Sequence, residues 1–162
     1  MFDNMLYLHH HIRMIKTTSS DHQDDVIHEI SSNCLVTRTR RISRVITGIY
    51  DNELRPFGIN APQFTLLVVI CRLRAASRAE IGRYNYQERS TLSRNLQLLL
   101  SEGWVEEMEQ EADGRRRPIV LTRSGKALLH KAAPAWRVAQ AQAATVLGKS
   151  GIAAITNIAD DL

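Results

Sequence analysis

Residues 90–95 carry side chains whose types and spacing can do recognition chemistry: Ser90, Thr91, Arg94 and Asn95. Hydroxyls suit phosphate oxygens, a guanidinium can grip a guanine edge through two hydrogen bonds, and an amide can do the same for adenine. At helical spacing these four lie away from an apolar stripe of Leu92, Leu96 and Leu99, so a helix that buries its leucines presents them outward. A polar helix face by itself is also what an ordinary solvated surface looks like. A second cationic feature follows, the run Arg115-Arg116-Arg117 just after Asp113-Gly114. Three consecutive cations at a turn repel one another, and a narrow, negatively charged minor groove would relieve that repulsion, although a solvated turn fits the same residues.

These groups need elements to hold them. Apolar residues Ile27, Ile30, Cys34, Ile42, Val45 and Ile49 recur at three- and four-residue steps and predict a long amphipathic helix over about 26–54, interrupted near Arg38. Arg55-Pro56-Phe57-Gly58 ends it, because proline disfavours helix in the residue before it. A second helix is expected from Ala61-Pro62, carrying Phe64, Leu67, Val68 and Cys71 inward. Ser77 and Glu80 form an S-x-x-E capping box for a short helix through about Tyr84, and the helix with the leucine stripe follows and stops at Gly103. Trp104-Val105-Glu106 and Pro118 to Leu121 predict a hairpin around the Asp-Gly turn. Thr122 caps a last long helix bearing Leu128, Leu129, Trp136 and Val146, kinked at Pro134, and a short helix closes the chain. The fold class is therefore mainly α with a small β-hairpin wing.

Composition narrows the function. With 44% hydrophobic and 23% charged residues the chain has the balance of a folded domain, which argues against disorder. A net charge of +4 is too mild to identify a partner, but its distribution is informative. Six arginines (Arg72, Arg74, Arg78, Arg83, Arg89 and Arg94) face only Glu80 and Glu88 within one stretch. No apolar run is long enough to span a bilayer and no secretory layout opens the sequence, so a cytoplasmic protein without membrane partners is expected. Cys34 and Cys71 lack C-x-x-C spacing, and adjacent His9, His10 and His11 point to different faces of any helix, so neither metal nor cofactor is expected. No cluster of nucleophile and base and no phosphate-binding glycine loop is present, so an enzyme is not expected.

Several stretches together resemble the MarR family of bacterial regulators: Pro62 to Leu67, Ser90 to Leu96, Glu102-Gly103-Trp104-Val105, and Asp113-Gly114-Arg115 through Leu121-Thr122 with Gly125. The resemblance covers roughly residues 26–147. It implies a winged helix-turn-helix dimer whose terminal helices interlock, with Arg94 and its neighbours reading the groove, Arg115 touching DNA from the wing and Asp113 orienting an arginine. It also implies release of a repressor by a small aromatic ligand or an oxidant. Two departures stand out. Asn85-Tyr86-Gln87 replaces the usual leucine-glycine-leucine turn, leaving Tyr84 or Tyr86 to fill its space, and Glu107 stands where a basic residue is common.

The expected organisation is an N-terminal extension (1–25), helical dimerisation regions (26–54 and 123–162) and a winged helix-turn-helix (55–122). The expected partners are double-stranded DNA carrying an inverted-repeat operator and a second copy of the chain, since one short helix covers too few base pairs. A winged helix used only for protein contacts is the alternative, because the fold does not dictate the partner. Cys34 is a candidate redox sensor: Arg38, one turn away, would favour the thiolate, although a cysteine on an apolar stripe is usually just a small core residue.

Overall fold

A computed structural model describes residues 23–108 and 117–162. Residues 1–22 of the expected extension over 1–25, including His9, His10 and His11, and the wing tip with Asp113, Gly114, Arg115 and Arg116 lie outside the described residues, while residues 23–25 are helical rather than part of an extension. By its contacts the chain divides into two units, residues 1–44 and 45–162.

In the first unit, α1 spans residues 23–33 and α2 begins at Leu35, running on to Leu54 in the second. The interruption falls at Cys34 rather than near Arg38. Cys34 immediately precedes α2, and its sulfur takes hydrogen bonds from the Thr37 side chain and from the Thr37 and Val36 backbone. Helical backbone bonds continue on either side of the break, Cys34 N donating to Ile30 O at 2.9 Å and Arg38 N to Cys34 O at 3.2 Å. The Arg38 guanidinium meanwhile donates to the Ser32 carbonyl. The apolar residues Val26, Ile27, Ile30, Leu35, Val36 and Ile42 of this unit are exposed.

The second unit holds the core. A short 3-10 turn at Arg55–Phe57 ends at Gly58, whose φ of 71° suits a residue without Cβ. Helix α3 (Ala61–Leu73) starts with Asn60 and Gln63 in a reciprocal capping box. Its buried residues are Phe64, Leu66, Leu67, Val69 and Ile70. The expected inward positions hold for Phe64 and Leu67, but Val68 is 44% exposed and Cys71 is exposed. The reason is that α3 packs on α4, α5, α6 and β2, so several partners rather than one stripe select its buried side. Helices α4 (Arg78–Tyr84) and α5 (Arg89–Ser101) follow, then the antiparallel strands β1 (Val105–Glu107) and β2 (Ile119–Leu121), paired Val105 with Leu121, Glu106 with Val120 and Glu107 with Ile119. Among the described residues fifteen buried apolar ones, including Leu54, Leu66, Ile70, Ile81, Leu96, Leu99 and Ile119, form one core.

Helix α6 (Arg123–Asp160) is capped by Thr122, whose side chain accepts from the Gly125 N–H. Pro134, the expected kink, lies inside the helix, and the backbone leaves helical geometry at Gly148, with φ 66° and ψ 172°, where the expected short closing helix begins. Pro134 is exposed, so water can serve the carbonyl that its missing N–H leaves free, whereas glycine takes a positive φ at little steric cost. Tyr50 on α2 donates its hydroxyl to Gln140 Oε1, and Gln142 Nε2 donates to Glu53 Oε1 at 2.9 Å, tying the end of α2 to α6.

The link from α3 to α4 is strained. Arg74 adopts φ 66° and ψ −62°, and Ala75 N donates to Leu73 O at 2.8 Å, closing a three-residue turn that side chains with Cβ adopt rarely. Arg74→Gly is expected to stabilise the chain by about 1 kcal/mol, after allowing for glycine's greater freedom when unfolded. Thermal unfolding at equal protein concentration checks this, and a lower midpoint for the variant contradicts it.

Candidate nucleic-acid interface

Helix α4 owes its start to the expected capping box. Ser77 N donates to Glu80 Oε2 at 2.8 Å, and Glu80 N donates to Ser77 Oγ at 3.3 Å. Ile81 anchors the helix in the core. The turn to α5 is closed by the main chain, with Gln87 N donating to Gly82 O at 2.9 Å and Tyr86 at φ 46°. A Cβ on Gly82 would sit 3.3 Å from Leu92 Cδ2, so glycine allows the two helices to approach closely. Neither tyrosine fills the turn. Tyr84 is 43% exposed and lies under the Arg72 guanidinium at 5.8 Å from the ring centre, and Tyr86 is 74% exposed with its hydroxyl on the Leu162 carbonyl. Backbone hydrogen bonds and the Gly82–Leu92 contact close the turn without a central apolar side chain.

On α5 the leucine stripe is buried as expected, at 3% exposure or less for Leu92, Leu96 and Leu99. Ser90 and Arg94 are exposed on the opposite side, while Thr91 and Asn95 are half-buried along its flank. Sequence reasoning missed Ser93 and Gln97, which are exposed and complete the outward face at positions i, i+3, i+4 and i+7 from Ser90. That spacing was the available signal. Between α4 and α5 lies an open groove of about 1000 Å³ whose rim includes Arg78, Arg83, Gln87, Arg89 and Ser93.

The wing root is tied to the helices by main-chain and side-chain bonds. Ala76, one residue before the α4 cap, bridges Ile119 on β2, with Ile119 N donating to Ala76 O at 2.8 Å. Met108 N donates to Pro118 O at 2.9 Å, carrying the pairing one step toward the tip. Arg117, the one member of the arginine triplet among the described residues, is 71% exposed. Both ion pairs found among the described residues converge on Glu107: Arg78 Nη2 at 2.6 Å and Arg117 Nη1 at 4.0 Å.

Cys34 lies in the first unit. Its thiol is held below the usual cysteine value, chiefly by the hydrogen bond from the Thr37 side chain and then by the Thr37 backbone, with burial opposing and the Val36 backbone adding least. The expected cause, the Arg38 guanidinium, is engaged with Ser32 instead. Among the described residues no group of three or more histidine, cysteine, aspartate or glutamate side chains comes together to hold a metal ion. Nor is any single helix among them long and apolar enough to cross a membrane.

Comparison with known proteins agrees with this geometry. The model of the MarR family matches residues 57–116, which contain α3, α4, α5 and β1. The HTH-type transcriptional regulator YwoH of Bacillus subtilis is 27% identical over 92 residues, covering 57% of this chain and 66% of that regulator, just under two thirds of its length. A cysteine-to-serine mutant of MarR from E. coli, complexed with operator DNA, superposes with a TM-score of 0.72 at 20% identity, covering 82% of this chain and 96% of the mutant. That likeness shows the fold. The transcriptional regulator MosR of M. tuberculosis, in complex with DNA, is 36% identical with a TM-score of 0.65, covering 80% of this chain and 98% of MosR.

Proposed function

The chain belongs to the MarR family of transcriptional regulators, whose fold and family are not those of enzymes, and from that premise we propose that it is a dimeric, sequence-specific DNA-binding repressor. The observation that carries the proposal is α5: a rigid helix with a buried leucine stripe, presenting Ser90, Ser93, Arg94 and Gln97 beside a wing whose described end carries Arg117. A helix of this kind fits the major groove, which is wide enough to admit it, while an arginine on a wing suits the neighbouring backbone and minor groove. The DNA complexes of MosR and of the MarR mutant support the same use of this fold.

Pairing with a second copy is supported by apolar residues left exposed on the flanking helices, among them Ile27, Leu35, Val45, Val138, Val146 and Ile158. Two such copies would place their recognition helices on half-sites about 34 Å apart, the spacing of an inverted repeat. The deciding experiment is a gel shift with duplex DNA from upstream of the protein's own coding sequence. Binding that is sequence-dependent and weakens steeply with salt supports the repressor, and no binding even at low salt supports a module for protein contacts only.

Release of DNA has two candidate triggers. A cavity of about 370 Å³ lined by Ile46, Tyr50, Phe64, Thr65, Val68 and Trp136 combines apolar walls with hydroxyls and suits a small aromatic molecule. Burial pushes the Tyr50 phenol up from its ordinary value, and because its proton is already given to Gln140 Oε1, its oxygen is left to accept from a bound molecule. The second trigger is Cys34, whose lowered thiol favours the thiolate that oxidants attack. If oxidation is the signal, mild peroxide should release wild type from the duplex, reductant should restore binding, and Cys34→Ser should stay bound. An equal response in both proteins, or none in either, leaves the cavity as the better account.

A further inference from the structure

Glu107 is the carboxylate at the root of the wing, and its surroundings give it a role that its charge alone would argue against. It lies on β1 opposite Ile119, the residue that also bridges Ala76 just before α4. One of its oxygens takes the Arg78 guanidinium at 2.6 Å, and the other faces Arg117 at 4.0 Å. Arg78 is the first residue of α4, and Arg117 leads from the wing tip into β2. Glu107 therefore joins the helix-turn-helix and the wing through a single side chain, only 26% exposed, and separates two cations that would otherwise repel each other.

We infer that Glu107 is a positioning residue for DNA binding: it fastens Arg78 to the wing root and aims Arg117 along the wing toward the duplex. The inference rests on the repressor function proposed above. The sign of its effect separates it from simple electrostatics. A carboxylate on a surface that meets phosphates lowers affinity through its charge, so its removal should tighten binding and steepen the salt dependence. A carboxylate that organises two arginines does the opposite, because its removal leaves their geometry unset.

The experiment measures affinity by fluorescence anisotropy, across a range of salt, for a labelled duplex from upstream of the protein's own coding sequence. The proteins are wild type, Glu107→Gln, Arg117→Ala and the double variant, each checked for an unchanged unfolding midpoint. Glu107→Gln is expected to bind about tenfold more weakly than wild type, the scale of one lost charged hydrogen bond. The loss should shrink clearly in the Arg117→Ala background, because part of what Glu107 aims is then gone. Tighter binding by Glu107→Gln, or an undiminished loss without Arg117, overturns the positioning role while leaving the repressor function standing. Failure of wild type itself to bind the duplex removes both.

Discussion

Gly125→Ala is expected to unfold about 10 °C below wild type, a loss of roughly 3 kcal/mol, at the severe end for overpacking a tight site. Gly125 lies in the first turn of α6, where its N–H donates to Thr122 Oγ1 at 3.1 Å. A Cβ there would stand 2.1 Å from the Trp104 carbonyl oxygen and 2.7 Å from Leu121 Cδ1. The carbonyl cannot step aside cheaply, because it also accepts from Thr122 N at 3.1 Å. Ser124 Oγ and Thr122 Oγ1 donate to the adjacent Gly103 carbonyl at 2.6 and 2.7 Å, so the whole junction of α5, β1 and α6 is closed around this glycine. Gly48, in α2, provides the contrast: a Cβ there meets nothing within 4 Å. Gly48→Ala should hold or raise stability, by up to about 1 kcal/mol. Both variants are compared with wild type at one protein concentration, since pairing with a second copy, as proposed, makes the midpoint depend on it. Unfolding of Gly125→Ala at the wild-type temperature would mean that α6 does not seat against Trp104 as closely as described.

The other large effect is expected at Arg94. Arg94→Ala should lose about 1–3 kcal/mol on the cognate duplex and much less on unrelated DNA, so that discrimination falls along with affinity. Arg94→Lys should not restore it, because an ammonium cannot make the paired, planar contact of a guanidinium. Arg117→Ala should behave differently, weakening binding to most sequences and flattening the salt dependence, as expected for a phosphate or minor-groove contact. Titrations of each variant against cognate and scrambled duplexes over a range of salt make the comparison. Unchanged discrimination by Arg94→Ala would show that α5 does not face the bases.

Much of this architecture is legible in residues that lie near one another in the chain. The S-x-x-E box at Ser77 and Glu80, the Thr122 cap, the Gly103 stop and the leucine stripe of α5 all depend on bonds or spacings within about four residues. Their energies follow from local chemistry, so local pattern suffices to place them. The outward face of α5 was legible for the same reason, and Ser93 and Gln97 could have been added by carrying the period one turn further.

Tertiary packing decided what periodicity could not. Which side of α3 is buried depends on α4, α5, α6 and β2 arriving around it, so Val68 faces the cavity and Cys71 the surface despite apolar spacing that put both inward. The ion pair of Glu107 with Arg78 joins residues 29 positions apart, and nothing in the sequence near either residue announces it. Local free energies are set by neighbours along the chain and can be read there. A long-range contact exists only after the chain has closed the intervening loop, so its partners are chosen by the fold as a whole.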